Sequence, residues 1–82
     1  MQAILTKYVA ASATMGSRIK ASAAAGSVYM PYDSELSLDA NHVEAARKLL
    51  QKLGWEKEGI VIHGTGSTPD GNYCHVLVFQ NK

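Results

Sequence analysis

Residues 39–55 read DANHVEAARKLLQKLGW, and this stretch decides the fold. Val43, Ala46, Leu49, Leu50 and Leu53 recur at three- and four-residue spacing, the period of a helix with one apolar face. Asp39 suits an N-cap, and Leu38 is placed to staple against Val43. Gly54 reads as a left-handed C-cap, with Trp55 folding back on Leu50. Arg47, Lys48 and Lys52 lie in the C-terminal half, where the helix dipole favours cations, so their charge needs no ligand to explain it. The spacing therefore predicts one helix over residues 39–53.

On the C-terminal side, residues 59–63 are β-branched and short, and residues 72–80 form the strongest strand pattern in the chain. Thr68-Pro69-Asp70-Gly71 places its residues where a type I turn followed by a left-handed residue wants them. The two strands thus read as a hairpin. Gly64 and Gly66 follow a strand, but no third glycine comes three residues later and no helix follows, so they read as hairpin loop and not as a phosphate loop.

On the N-terminal side, Ile4, Leu5, Tyr8 and Val9 suit a half-buried strand over residues 2–9. Residues 10–16 are small and uncharged and read as a loop. Ser17, Ile19 and Ala21 then alternate with Arg18 and Lys20, the mark of a strand with one wet face. The tract 21–26 is ambiguous, because alanine favours helix while its neighbours favour strand. Gly26 turns the chain into a third strand over 27–32, with Val28, Met30 and Tyr32 on one side and Pro31 at an edge or strand end. The expected fold is a single α+β domain over residues 1–82. It has a five-stranded, mainly antiparallel sheet, βββαββ along the chain, one helix on one face, and the other face exposed or meeting a partner.

A chain of 82 residues with eleven alanines and seven glycines holds one small core and little material for a deep pocket. The net charge of +1 gives no partner preference by itself. One cysteine, Cys74, makes no internal disulfide, which fits a reducing, cytoplasmic setting. No apolar run is long enough for a membrane helix, and no signal peptide is recognisable at residues 1–4. No cofactor or metal is implied, because the three histidines and Cys74 lack zinc-type spacing.

The charge is unevenly spread. Residues 1–30 carry Lys7, Arg18 and Lys20 with no acid, whereas residues 31–58 carry six acids against four bases. The candidate binding residues are accordingly Lys7, Tyr8, Thr14, Ser17, Arg18 and Lys20. Arg18 and Lys20 on one strand face grip phosphates, the loop of small residues admits another backbone, and Tyr8 offers a stacking surface. The same residues would also dock an acidic protein, or simply keep the face solvated. The expectation is a non-enzymatic binding module acting on nucleic acid or on a nucleic-acid-handling host complex. One alternative is a self-associating protein that pairs through its uncovered sheet face or a free edge as a homodimer. A second is a small enzyme using His42, His63 or His75 with Cys74 or a nearby acid at a dimer cleft. Against the enzyme, Cys74 and His75 face opposite ways on a strand. His63 approaches His75 only if the register allows it, and His42 reads as a surface or cap-supporting histidine in the first helical turn. Asp33 and Glu35 read as solvated loop carboxylates, and Cys74 as a small core residue.

Thr6-Lys7-Tyr8, Ala11, Thr14 and Gly16-Ser17-Arg18-Ile19-Lys20-Ala21 resemble the opening of a group of small proteins of bacterial genomes, plasmids and phages. The resemblance continues through Pro31-Tyr32, Glu35-Leu36-Ser37, His42, Ala45-Ala46 and Lys52-Leu53-Gly54-Trp55, then Pro69-Asp70-Gly71, Tyr73 and Phe79. The group tends to have Asn at position 13 and Arg or Lys at position 15, where this chain has Ala13 and Met15. The resemblance implies a domain of the phage or mobile-element type, with inhibition of host defence as one role such proteins fill, and it supplies no catalytic residues.

Overall fold

A computed structural model describes residues 3–79 of the chain. In chain order the elements are β1 (Ala3–Val9), β2 (Arg18–Ala23), β3 (Gly26–Pro31), helix α1 (Leu38–Leu53), a 3-10 turn at Glu56–Glu58, β4 (Ile60–Ser67) and β5 (Tyr73–Phe79). All neighbouring strands are antiparallel, in the order β3-β2-β1-β5-β4. The fold is therefore α+β with one five-stranded sheet, as the sequence pattern predicts. The first strand lies at its centre, joining an N-terminal three-stranded meander to a C-terminal hairpin. Gln2 and Gln80, the outer limits expected for the first and last strands, lie outside the described residues.

Strand alternation sorts the side chains into two faces. Ile4, Ile19, Ala21, Met30, Ile60 and Leu77 point inward and are buried with Ala45, Ala46, Leu49 and Leu50 of α1. Two adjacent alanines on the helix let its backbone approach the sheet closely. Leu53 and Trp55 close the end of this core. Among the described residues no helix packs on the opposite face, where Leu5 and Tyr29 are half exposed. No helix among the described residues is long and apolar enough to cross a membrane.

Several expected boundaries move. The helix begins at Leu38, and its N-cap is Ser37, whose hydroxyl accepts from the Ala40 N–H at 3.1 Å. Asp39 is thus in the first turn and does not cap it, and Leu38 is half exposed instead of stapled. The buried helix face comprises Asn41, His42, Ala45, Ala46, Leu49 and Leu50, while Val43 is only half buried. The apolar stripe is turned because Asn41 is tied into the preceding loop. Its carboxamide oxygen accepts from the Asp33 N–H at 2.8 Å, and its amide donates to the carbonyls of Asp33 at 2.9 Å and Ser37 at 3.0 Å.

The alanine tract resolves as strand to Ala23 followed by a two-residue turn, Ala24-Ala25, with Ala23 paired to Gly26. Pro31 ends the edge strand β3, where its missing N–H costs no ladder bond. Strand β4 is longer than its β-branched run suggests. Gly64, Thr65 and Gly66 belong to it and not to a loop, and the pairing with β5 shifts register between Ile62 and Gly64. Gly71 has φ 87 and donates to the Thr68 carbonyl at 3.0 Å, which is the expected turn.

The C-cap also forms as expected. Gly54 has φ 75, and the Trp55 N–H donates to the Leu50 carbonyl at 3.1 Å. A Cβ at position 54 would meet nothing within 4 Å, so its cost is backbone conformation alone. Gly54→Ala should lower stability by about 1 kcal/mol, read as a lower thermal midpoint. An unchanged midpoint would mean that the cap is not left-handed.

Candidate functional site

Two polar ensembles stand out, one inside the domain and one on the open face. The inner one is built where the N-terminal half of α1 crosses β1 and β5. Thr6 follows Ile4 on the inward face of β1, and His75 precedes Leu77 on the inward face of β5. Since Ile4 pairs with His75 and Thr6 with Tyr73, His75 lies diagonally beside Thr6. The Thr6 hydroxyl meets His42 Nδ1 at 2.7 Å and His75 Nε2 at 2.8 Å. Thr65 of β4, opposite His75, meets its Nδ1 at 2.9 Å. Thr6, His42 and His75 are all essentially inaccessible to solvent. The Tyr73 ring stacks on His42 with centroids 4.0 Å apart, and its hydroxyl donates to the Asp39 carboxylate.

Burial pushes His42 below the ordinary histidine range, against a smaller opposing pull from Asp39. Burial, and then the charge of His42, lowers His75 to about 4. Both rings are therefore neutral at neutral pH, each with one N–H and one acceptor nitrogen. A single hydroxyl between two neutral imidazoles donates to one and accepts from the other. The ensemble ties α1 to β1, β5 and β4, and its geometry is that of a satisfied internal lock.

These positions correct three expectations. His42 is a core residue and not a surface histidine, because Thr6 offers it a buried partner. His63 does not face His75: the register shift places Thr65 there, and His63 is exposed. Cys74 is only half buried and lies on the open face, away from His75, so it is not a core residue. Among the described residues, no three His, Cys, Asp or Glu side chains gather as metal ligands would.

The outer ensemble occupies the open face. Lys7 and Lys20 are direct cross-strand partners, and Lys20 in turn pairs with Tyr29. The Arg18 guanidinium lies 5.4 Å from the Tyr29 ring centre and the Lys20 ammonium 5.7 Å from it. The one ion pair among the described residues joins Arg47 to Glu44, so no carboxylate neutralises Lys7, Arg18 or Lys20 at contact distance. Met15 and Ser12 of the first loop border this face, with Arg18 and Tyr29, around a cavity of about 310 Å³. A larger cavity of about 510 Å³ lies beyond Pro31, where Asp33, Glu35 and Glu44 make it unsuited to an anion.

The six sequence candidates are thus divided. Lys7, Arg18 and Lys20 come together. Tyr8 points to the helix side, where its hydroxyl donates to Ser17 Oγ at 2.9 Å and its ring meets Tyr32 edge-on at 5.8 Å. Thr14 is exposed in the loop. The tyrosine beside the cations is Tyr29, which strand alternation against Val28 and Met30 places on that face. Comparison with protein-family models, with curated proteins and with solved structures finds no match for the chain.

Proposed function

We propose that the open face of the sheet binds single-stranded nucleic acid, without catalysis. The observation that carries this reading is the Lys7–Lys20 pair. Like charges directly opposite on a sheet cost stability, and a polyanion lying across them offsets that cost. Tyr29, flanked by Arg18 and Lys20, gives one base a stacking platform. An open five-stranded face suits splayed bases better than a duplex groove, which admits a helix or a narrow ribbon.

Fluorescence anisotropy with a labelled oligothymidylate tests the proposal. Three cationic contacts on a single strand give a log–log salt slope of about −2, and Lys7→Ala/Lys20→Ala should reduce it to about −0.7. Tyr29→Ala should cost about 1–3 kcal/mol of affinity through lost stacking, with the slope little changed. Salt-independent binding, or binding indifferent to all three substitutions, would sink the reading. Capture of an acidic protein complex that survives nuclease treatment, with no oligonucleotide binding, would assign the face to a protein partner.

A further inference from the structure

Lys7 and Lys20 share a cavity with the turn of the C-terminal hairpin. Residues of the turn between β4 and β5 line this cavity, of about 250 Å³, with β1 and β2. Lys7, Lys20 and Ser22 form its floor, and Thr68, Asp70 and Asn72 form its side. This volume lies below the roughly 300–1,000 Å³ typical of sites for whole small molecules. It suits a single charged group. Lys20 belongs both to this cavity and to the Tyr29 platform, so the two share a cation.

Resting on the single-strand reading above, we infer that this cavity receives the terminal phosphate monoester of the bound strand. An internal phosphodiester carries one negative charge and needs two exits for the chain. A terminal monoester carries about −1.5 to −2 at neutral pH and needs only one. Two lysines in the lining match the dianion, and Thr68, Asp70 and Asn72 of the turn bound the cavity on one side. The Ser22 hydroxyl and the second hydrogen of the Asn72 amide add neutral donors.

Asp70 is the opposing feature of the cavity. Its carboxylate is held by the Thr68 hydroxyl, by the Asn72 N–H at 3.4 Å and by the Asn72 side-chain amide at 3.2 Å. These bonds keep it charged, below the ordinary carboxylate range. Its charge is turned into the turn, yet it still repels a phosphate, and this gives the inference a test with the opposite sign from the lysine substitutions.

The experiment compares oligothymidylates bearing a 5′-phosphate, a 3′-phosphate or hydroxyls at both ends. One phosphorylated end should bind about tenfold tighter than the hydroxyl form. Inorganic phosphate should erase that advantage, and so should Lys7→Ala. Asp70→Asn, which keeps an acceptor for the turn, should tighten binding of the phosphorylated strand more than that of the hydroxyl strand. Equal affinity for all three strands overturns the inference and leaves the sheet-face reading standing. Failure of every strand to bind overturns both.

Discussion

Thr6→Val lowers the unfolding free energy by about 2–6 kcal/mol. Valine has nearly the shape of threonine and suits a strand equally well, so neither packing volume nor β-propensity accounts for the loss. What disappears is the hydroxyl joining His42 Nδ1 to His75 Nε2. Each nitrogen then sits buried without its partner, at about 1–3 kcal/mol apiece. A domain of this size has roughly 4–12 kcal/mol in total, so the variant stands near the edge of folding. Urea denaturation measures the difference. Thr6→Ser is the paired control, because it keeps the hydroxyl and loses one methyl, at about 0.5–1.5 kcal/mol. Should valine prove no worse than serine, the hydroxyl does not bridge the two rings.

Acidification is the second large effect. The folded state holds His75 at about 4, against about 6.5 in the unfolded chain. Between those values the unfolded chain takes up a proton that the folded one refuses. The contribution is therefore complete above about pH 6.5 and drains away as the pH falls towards 4, by about 2–3 kcal/mol. His42 shifts in the same direction and adds to the loss, less the opposing pull of Asp39. The lock accepts one proton with its bonds intact: His42 Nδ1–H donates to Thr6, Thr6 to His75 Nε2, and His75 Nδ1–H to Thr65. A second proton sets two N–H donors against one hydroxyl, and the Thr6 hydrogen is left without an acceptor. Asp70 is held in its charged form, so its contribution is lost only at lower pH, below the ordinary carboxylate range, and does not obscure this window. Denaturation midpoints that stay level from about pH 7.5 to about 5 would show that the histidines are not buried neutral.

The parts of this fold that were legible in the sequence are those set by local periodicity. Alternation through Arg18, Ile19, Lys20 and Ala21, the three-four spacing ending at Leu53, and the Thr68–Gly71 turn each carry their own signal. The helix start was not legible, because Ser37 and Asp39 are both good caps; the loop bonds to Asn41 favour the earlier one. The burial of His42 was hidden for a different reason. Its partner Thr6 lies 36 positions away, and only the sheet order brings β1 beneath the helix. The clustering of Lys7 with Arg18 and Lys20 was half legible. Alternation separates Arg18 and Lys20 from the core, but whether Lys7 joins them depends on the register that sets it against Lys20. Tyr8 was misplaced for the same reason, since its register partner is the buried Ile19.

The register shift in β4 has a consequence for how this strand can change over time. Before it, the even-numbered Ile60 and Ile62 lie on the helix side of the sheet; after it, the odd-numbered Thr65, itself exposed, lies on that side against His75. The strand is one residue longer than its partner requires, and the surplus is absorbed at His63. Losing that residue would restore an unbroken ladder while leaving Ile62 opposite Leu77 and Thr65 opposite His75. A gain or loss of one residue elsewhere in β4 would put Thr65 out of phase with the lock. Position 63 is thus the place in the sheet where chain length is free to drift while every inward contact is inherited unchanged.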